Sequence, residues 1–307
     1  MKRFRRVTLS LIIGVIAYSC GSNPYSRTNR VHKQRVKELT AELREFPPER
    51  AELPDSLNFA DSWVGTTNFS LRRPNFVIIH HTAQDSVEQT LRTFTLPRTS
   101  VSSHYVISED GEIYQMLDDH FRAWHAGTGK WGNTNDLNSS SIGIELDNDG
   151  FEPFSVAQIQ SLLKLLGMLK EKYNIPTANF IGHSDIAPTR KVDPNPYFPW
   201  KTLAEEGFGL WYDQHILEEN PIEKNLPQVP GELDRQSATD SIPAQRANPK
   251  PYLQMDPEMA LRIIGYDTEN LDAAIKAFKL HFIQQEVNAE LTERDLRILH
   301  NLYQKYM

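Results

Sequence analysis

The loop at residues 182–194 (Gly-His-Ser-Asp-Ile-Ala-Pro-Thr-Arg-Lys-Val-Asp-Pro) constrains this chain most, because two of its side chains can bind a metal ion. Imidazole nitrogen and carboxylate oxygen both ligate Zn²⁺, and a catalytic zinc takes three protein ligands and one water. His183 and Asp193 supply two such ligands, so the fold must bring a third to this loop. The pair His80-His81, which ends an apolar run, is the natural source. Residue types alone leave an alternative open, in which His183 is a hydrogen-bonded core residue and Asp193 caps the turn.

Apolar runs and turn residues predict how the chain around this loop folds. Continuous apolar residues indicate a strand covered on both faces, and alternating ones a strand with one buried face. Strands are predicted at residues 76–79, 104–107, 112–116, 121–124, 142–146 and 180–183. Asp110-Gly111 joins the second and third as a hairpin, and capping boxes at Ser86 and Ser155 begin helices. This alternation predicts an α/β fold, a mixed central sheet flanked by helices, with ligand groups at the strand ends.

Changes in composition divide the rest of the chain. Residues 55–217 contain all the predicted strands and form the candidate catalytic domain. Residues 218–250 are rich in Pro, Glu, Gln and Ser without a hydrophobic period, which is typical of a linker. Residues 251–307 contain three amphipathic stretches, which begin near Asp256-Pro257, Asn270 and Thr292. Amphipathic helices joined by short turns predict a small C-terminal three-helix bundle.

The N-terminus has the pattern of an export signal. Basic residues precede a short apolar stretch that ends at Cys20, the only cysteine of the chain. An apolar core this short suits a signal peptide, here residues 1–19, better than a membrane span. A lone cysteine directly after a small residue resembles a bacterial lipobox, so we expect lipidation at Cys20; a plain secretory peptide is the alternative. Residues 20–54 are polar and are interpreted as a tether, with a short helix near 36–45.

The charge balance limits the partners of this chain. Its 307 residues carry a formal net charge of −7. Domains that bind nucleic acid present a basic face, so an acidic balance argues against a nucleic-acid partner. We expect a monomer.

Six motifs occur in order between residues 75 and 212. They are residues 77–83 (Val-Ile-Ile-His-His-Thr-Ala), 102–107 (Ser-Ser-His-Tyr-Val-Ile), 124–127 (Trp-His-Ala-Gly), 141–145 (Ser-Ile-Gly-Ile-Glu), 182–188 (Gly-His-Ser-Asp-Ile-Ala-Pro), and 190–194 (Arg-Lys-Val-Asp-Pro) followed by 198–200 (Phe-Pro-Trp). Together they resemble the zinc-dependent N-acetylmuramoyl-L-alanine amidases of the amidase-2 type. The C-terminal helical residues resemble a peptidoglycan-binding domain that accompanies that catalytic domain.

The resemblance implies a metal site with Zn²⁺ as the cofactor. The family's three zinc ligands fall on His80, His183 and Asp193. Side chains of adjacent strand residues point to opposite faces, so His80 and His81 cannot both face the ion. Without the resemblance, the choice between these two histidines stays open.

The resemblance also implies catalytic and substrate-binding positions. The family's catalytic glutamate falls on Glu145, and its basic residue near the scissile carbonyl falls on Lys191. Glu145 would take a proton from water and later protonate the leaving amine, and Lys191 would stabilise the oxyanion. Around them, His104, Trp124 and His125 are candidates for substrate contacts, and packing inside the pocket wall is the alternative for all three.

The implied activity is hydrolysis of the amide between N-acetylmuramic acid and the L-alanine of the stem peptide, so the implied partners are peptidoglycan and muropeptides. An enzyme anchored to the membrane through Cys20 is expected in the cell envelope, in the outer membrane facing the periplasm. Asn195, where the family has glycine, and Tyr197 change the loop after Asp193 and bear on specificity. One alternative is a non-catalytic peptidoglycan-binding or sensing lipoprotein, and another is a zinc amidohydrolase for a non-murein amide.

Overall fold

The computed structural model describes residues 23–45, 66–68, 70–71, 73–218 and 250–307. The predicted signal peptide, Cys20, parts of the tether and nearly all of the predicted linker lie outside the described residues. The chain forms two compact units, Met1–Phe69 and Ser70–Met307. In the first unit, helix α1 spans Ser26–Arg44, so it begins earlier than predicted, and it buries none of its residues. None of the helices that the structure describes is long and apolar enough to cross a membrane.

A five-stranded mixed sheet lies at the centre of the second unit. The strands are β1 (Phe76–His81), β2 (Tyr105–Ile107), β3 (Ile113–Gln115), β4 (Ser141–Leu146) and β5 (Phe180–Gly182). Their order is β3-β2-β4-β1-β5. Pairs β2–β4, β4–β1 and β1–β5 are parallel, whereas β3 is antiparallel to β2 at one edge, as the hairpin pattern predicts. The predicted mixed α/β sheet is confirmed.

Helices flank this sheet and extend to the C-terminus. They are α2 (Val87–Thr95), α3 (Leu137–Ser140), α4 (Val156–Tyr173), α5 (His183–Ile186), α6 (Trp200–Glu205), α7 (Pro251–Gln254), α8 (Pro257–Ile264), α9 (Leu271–Phe282) and α10 (Glu293–Tyr306). The last three are the predicted C-terminal bundle, and α7 adds one turn before it. Ser86 and Ser155 cap α2 and α4 as predicted. The Gln158 side chain does not complete a capping box, because it donates to the carbonyls of Ile107 and Asp147.

The strand predicted at residues 121–124 is absent from the described chain. Trp124 accepts a hydrogen bond from Ser102 N and donates its own N–H to Ser102 Oγ. The next two backbone N–H groups both donate to Asn138 Oδ1. Because side chains rather than a neighbouring strand satisfy these donors, the segment remains an irregular loop. The sequence pattern of this short run does not distinguish the two outcomes.

The two faces of the sheet carry two separate hydrophobic cores. Val77 and Ile79 of β1 point to the face that α4 covers, with Leu162, Leu166 and Phe180 in the same cluster. Phe76 and Ile78 point to the opposite face, where they share a core with the C-terminal helices. Members of that second core on the C-terminal side include Ala260, Leu261, Ile264, Phe278, Phe282, Ile298 and Leu302. The C-terminal helical segment therefore packs against the part of this face that β1 and β5 form.

Candidate active site

Parallel pairing brings two of the three predicted metal ligands to the same end of neighbouring strands, and the loop after α5 adds the third. β1 carries His80, and β5 ends immediately before His183, so both histidines leave the same end of adjacent strands. The Nδ1 atoms of His80 and His183 are 2.9 Å apart. Asp193 Oδ2 lies 3.1 Å from the first of these nitrogens and 3.0 Å from the second. All three side chains are buried.

The two histidines of the predicted pair have different surroundings. His81 points to the opposite side of β1, where its Nδ1 accepts a hydrogen bond from Asn195 N at 3.1 Å. Gly150 lies close to its Nε2, since a Cβ there would be 3.0 Å away. The structure thus places His80, rather than His81, against His183 and Asp193.

A chain of hydrogen bonds behind His80 determines which of its nitrogens faces the cluster. Ser141 Oγ donates to the Leu137 carbonyl, so it accepts from His125 Nε2 at 3.1 Å. The other nitrogen of His125, Nδ1, then carries no proton in the neutral ring and accepts from His80 Nε2 at 3.0 Å. His80 Nδ1 is left as a lone pair directed at His183 and Asp193. This tautomer is the one that a metal ligand needs.

The pKa values of His80 and His125 favour the neutral form of both imidazoles. Burial and then the nearby His183 lower the pKa of His80 to about 4. Burial and then His80 lower the pKa of His125 well below its usual value. Gly143 makes this packing possible, because a Cβ at that position would lie 2.4 Å from the His125 ring. Ligand histidines must be deprotonated to bind a metal, so the site is prepared for an ion.

The donor set fits a small divalent cation. The lone pair of His80 Nδ1 faces the Asp193 carboxylate across 3.1 Å without a proton between them. Two such acceptors repel each other, whereas a shared cation would turn both into ligands. Burial alone would raise the pKa of Asp193, but its contact with the His183 imidazole lowers it, so Asp193 is an anion. Two neutral imidazoles and one carboxylate are a donor set found in catalytic zinc sites.

Glu145 lies beside these three ligands without belonging to their group. It is the register partner of His80 across β1 and β4, so both side chains point to the same face. Its Oε1 is 4.0 Å from His80 Nδ1, and its side chain is buried. Burial and then the Asp193 carboxylate raise the pKa of Glu145 well above its usual value, while Lys191 lowers it. A carboxyl group in this position can exchange a proton with a molecule bound at the cluster.

Lys191 is held near Glu145 by the loop after α5. Its backbone N–H donates to the Ala187 carbonyl at 3.0 Å, and its side chain is half-buried. The ammonium is close enough to lower the pKa of both Glu145 and His80. Within the described residues it makes no ion pair with a carboxylate, so its charge is available to a bound substrate.

The three predicted substrate contacts have very different exposure. Trp124 is 53% exposed. By contrast, His104 is fully buried, and both ring nitrogens are engaged: Nδ1 accepts from Gly143 N and Nε2 donates to the Phe121 carbonyl. His125 is also buried, between His80 and Ser141. The geometry makes Trp124 available to substrate and places the two histidines in the supporting wall.

Asn195 and Tyr197, the two departures from the family pattern, have separate roles in the loop. Asn195 is buried and donates to Asn148 Oδ1 at 2.9 Å and to the Glu152 carbonyl at 3.0 Å. Tyr197 is 58% exposed. Asn195 thus ties the loop after Asp193 to the loop after β4, and Tyr197 adds an aromatic surface at its rim.

Sequence reasoning did not identify the residues that support the ligands. Ser141 orients His125, and Asn138 holds the backbone of the loop that carries it. Asp185, two residues after His183, accepts three hydrogen bonds. Nothing in the local pattern distinguishes these residues from ordinary polar residues, because their partners are remote in sequence.

Comparison with known proteins places the chain in a family. The profile described as N-acetylmuramoyl-L-alanine amidase matches residues 70–196. The N-acetylmuramoyl-L-alanine amidase AmiD of Escherichia coli is 33% identical over 250 residues, which are 76% of this chain and 84% of that protein. The 1,6-anhydro-N-acetylmuramyl-L-alanine amidase AmpD of Haemophilus influenzae is 39% identical over 102 residues, 33% of this chain and 55% of that protein.

Solved structures agree with the sequence comparison. A complex of E. coli AmiD with the substrate anhydro-N-acetylmuramic acid-L-Ala-D-gamma-Glu-L-Lys has a TM-score of 0.60 at 30% identity, covering 79% of this chain and 93% of that one. AmpDh3 of Pseudomonas aeruginosa, in complex with anhydromuramic pentapeptide, has a TM-score of 0.61 at 27% identity, covering 81% and 98%. Because the similarity to AmiD extends over most of both proteins, this chain belongs to the N-acetylmuramoyl-L-alanine amidase family.

Proposed function

We propose that this chain hydrolyses the amide between N-acetylmuramic acid and the L-alanine of the peptidoglycan stem peptide, with Zn²⁺ held by His80, His183 and Asp193. The buried cluster of these three ligands, with Glu145 4.0 Å from the first, carries the proposal. Family membership supports the reaction, and the AmiD and AmpDh3 complexes with anhydromuramyl peptides support the substrate class.

Amide hydrolysis needs a nucleophile, a polarised carbonyl and a proton for the leaving amine. A bound Zn²⁺ supplies a water whose pKa falls to about 7 and an electrophile for the carbonyl oxygen. Glu145 accepts the proton that the attacking water loses as the new C–O bond forms. It then delivers this proton to the amide nitrogen as the C–N bond breaks. The second proton of the water also passes to the nitrogen, which leaves a lactyl carboxylate and an L-alanine ammonium group. The raised pKa of Glu145 suits a group that must hold a proton between these steps.

Lys191 contributes charge to the same site. Negative charge develops on the carbonyl oxygen when the tetrahedral intermediate forms. The Lys191 ammonium is close enough to Glu145 to lower the pKa of its carboxyl group, so its charge is available to stabilise this oxygen. Donors of this kind contribute about 3 kcal/mol to transition-state stabilisation.

A non-catalytic peptidoglycan-binding protein on the same fold is the second candidate function. A binder that had lost catalysis would gain nothing from a buried glutamate beside three ligand side chains, because burying a carboxyl group without a partner is costly. All four groups are present and face one another. The enzyme is therefore the function that the geometry supports best.

Anchoring in the cell envelope is a further part of the proposal. The basic segment, the short apolar stretch and Cys20 support a lipoprotein, in the outer membrane facing the periplasm. Acyl chains contribute about 0.8 kcal/mol per buried CH₂ to membrane binding. Cys20→Ser should therefore move the protein from the membrane fraction to the soluble fraction. Recovery of wild-type protein without a lipid mass, by intact-protein mass spectrometry, would contradict this prediction.

Metal content tests the ligand set. His183→Ala and His80→Ala should each remove zinc from the purified protein, because each deletes one of three ligands. His81→Ala is the matched control, since it lies on the same strand with its side chain on the other face, and it should keep zinc. Elemental analysis should find one zinc per chain in the wild type. Loss of zinc in His81→Ala together with retention in His80→Ala would contradict the assignment.

Glu145→Gln separates chemistry from binding. The variant keeps the shape of the side chain and all three ligands, so zinc content and binding to sacculi should be unchanged. Release of L-alanine-terminated peptide from a defined muropeptide should fall by about 10²–10⁴-fold, because the proton transfers are lost. Glu109→Gln, at an exposed position, is the control and should cleave at the wild-type rate. If Glu145→Gln cleaves as fast as the wild type, Glu145 is not the catalytic base.

A further inference from the structure

Asp185 connects the candidate metal site to the C-terminal helices. It lies in α5, two residues after His183, and is completely buried. Its Oδ2 accepts from Gly182 N at 2.7 Å and from His281 Nδ1 at 2.7 Å. Its Oδ1 accepts from the Tyr266 hydroxyl at 2.7 Å. Two of the three partners of this carboxylate therefore come from the C-terminal helical segment.

The segment around Asp185 determines where two metal ligands lie. Helix α5 has four residues, and a single turn this short is not stable alone. The bond from Gly182 N to Asp185 closes this turn around His183. Ser184 N, between them, donates to the Asp193 carbonyl at 2.8 Å. A displacement of Asp185 would therefore move both His183 and Asp193.

Both donors to Asp185 are fixed by aromatic packing. The His281 ring stacks on Trp200 with centroids 3.8 Å apart and an interplanar angle of 16°. The Tyr266 ring packs edge-on against Trp131 with centroids 5.0 Å apart. Gly265 allows this contact, because a Cβ at this position would lie 2.4 Å from the Trp131 ring. These rings hold the hydroxyl and the imidazole at defined positions over α5.

Apolar packing also connects the C-terminal helices to the elements around the candidate metal site. Ile78 of β1, Ile181 of β5 and Ile186 of α5 belong to the cluster that contains Phe278 and Phe282 of α9. All are buried. Apolar side chains of α9 therefore share a core with the two strands and the short helix that carry the candidate ligand histidines.

We propose that Tyr266 and His281 are positioning residues of the amidase site: through Asp185 they hold α5 so that His183 and Asp193 stay in metal-binding geometry. This inference rests on the proposed metal-dependent function. It assigns the C-terminal helices a role in the site in addition to any affinity for peptidoglycan. The role is specific to two hydrogen-bond donors and not to the helical segment as a whole.

The test uses the full chain with Tyr266→Phe and His281→Phe combined. Both changes remove a donor and keep an aromatic ring in place. Co²⁺ is the probe, because its visible absorption reports the ligand geometry directly. Loss of outer-shell partners typically weakens metal binding by 10- to 100-fold, and Asp185 is one step further from the ion, so we expect a loss of about tenfold. We also expect an altered Co²⁺ absorption band, with co-sedimentation with sacculi unchanged.

Two further variants separate positioning from general stability. The single variant His281→Phe should lose part of the Co²⁺ affinity. His281→Asn keeps a side-chain N–H near the position of Nδ1, so it should retain most of the affinity that His281→Phe loses. Ile298→Val removes one methylene from the same core in α10 without touching Asp185, and it should keep the wild-type Co²⁺ spectrum. If the double variant does not fold, Tyr266→Phe alone carries the test, with a smaller loss of the same kind.

The outcomes distinguish this inference from the function on which it rests. Wild-type Co²⁺ affinity and spectrum in the folded double variant would overturn the positioning role and leave the proposed function intact. An equal loss in Ile298→Val would also overturn it, because the effect would then be one of stability. A wild-type protein that binds no Co²⁺ would overturn both proposals.

Discussion

Parallel pairing of β1 with β4 and β5 is the constraint on which the site depends. The carboxyl ends of parallel strands lie on the same side of a sheet. Three residues that are far apart in sequence therefore meet there: His80 at the end of β1, Glu145 of β4 and His183 just after β5. The register pairs His80 with Glu145, which places a ligand and a carboxyl group on one face. The loop after α5 then returns Asp193 to within 3.1 Å of both imidazoles. The ends of three adjacent parallel strands and the loop after α5 thus bring these four side chains together.

Buried residues behind these strand ends hold the cluster in a form that can bind a metal ion. The bonds from His80 through His125 to Ser141 leave a lone pair on His80 Nδ1, and burial keeps both rings neutral. On the other side, Asp185 holds the turn that begins at His183. The two supports come from different parts of the chain, because the first is built from β4 and the loop before it and the second from the C-terminal helices. The ligands are therefore positioned from both sides by residues that do not themselves face substrate.

Sequence reasoning reached the mixed sheet, the hairpin and most helix starts, because each has a local signal. The structure brings His80, His183 and Asp193 together, but the choice of His80 over His81 came from the family resemblance and not from a local signal. Apolar runs locate β1 and β4, and Ser155 caps α4 as its spacing predicts. The predictions that differ from the structure depend on remote partners: Ser102 binds the backbone of Trp124 and Asn138 binds that of the next two residues, so residues 121–124 form a loop outside the sheet. For the same reason, burial of His125 against His80 was not visible in a Trp-His-Ala-Gly motif. The packing of α8, α9 and α10 against β1 and β5 is likewise a tertiary property. An amphipathic period predicts that a helix has an apolar face but not which surface that face contacts.

The central claim is that a metal held at these strand ends makes the chain an amidase. The most direct measurement is mass spectrometry of purified sacculi after digestion by three preparations: zinc-loaded protein, the same protein after removal of metal by a chelator, and the chelated protein with zinc restored. We expect peptides with a free N-terminal L-alanine in the first and third digests and none in the second. Release of these peptides by the metal-free protein at the wild-type rate would contradict this claim, as would zinc-loaded protein that binds sacculi and releases no such peptide.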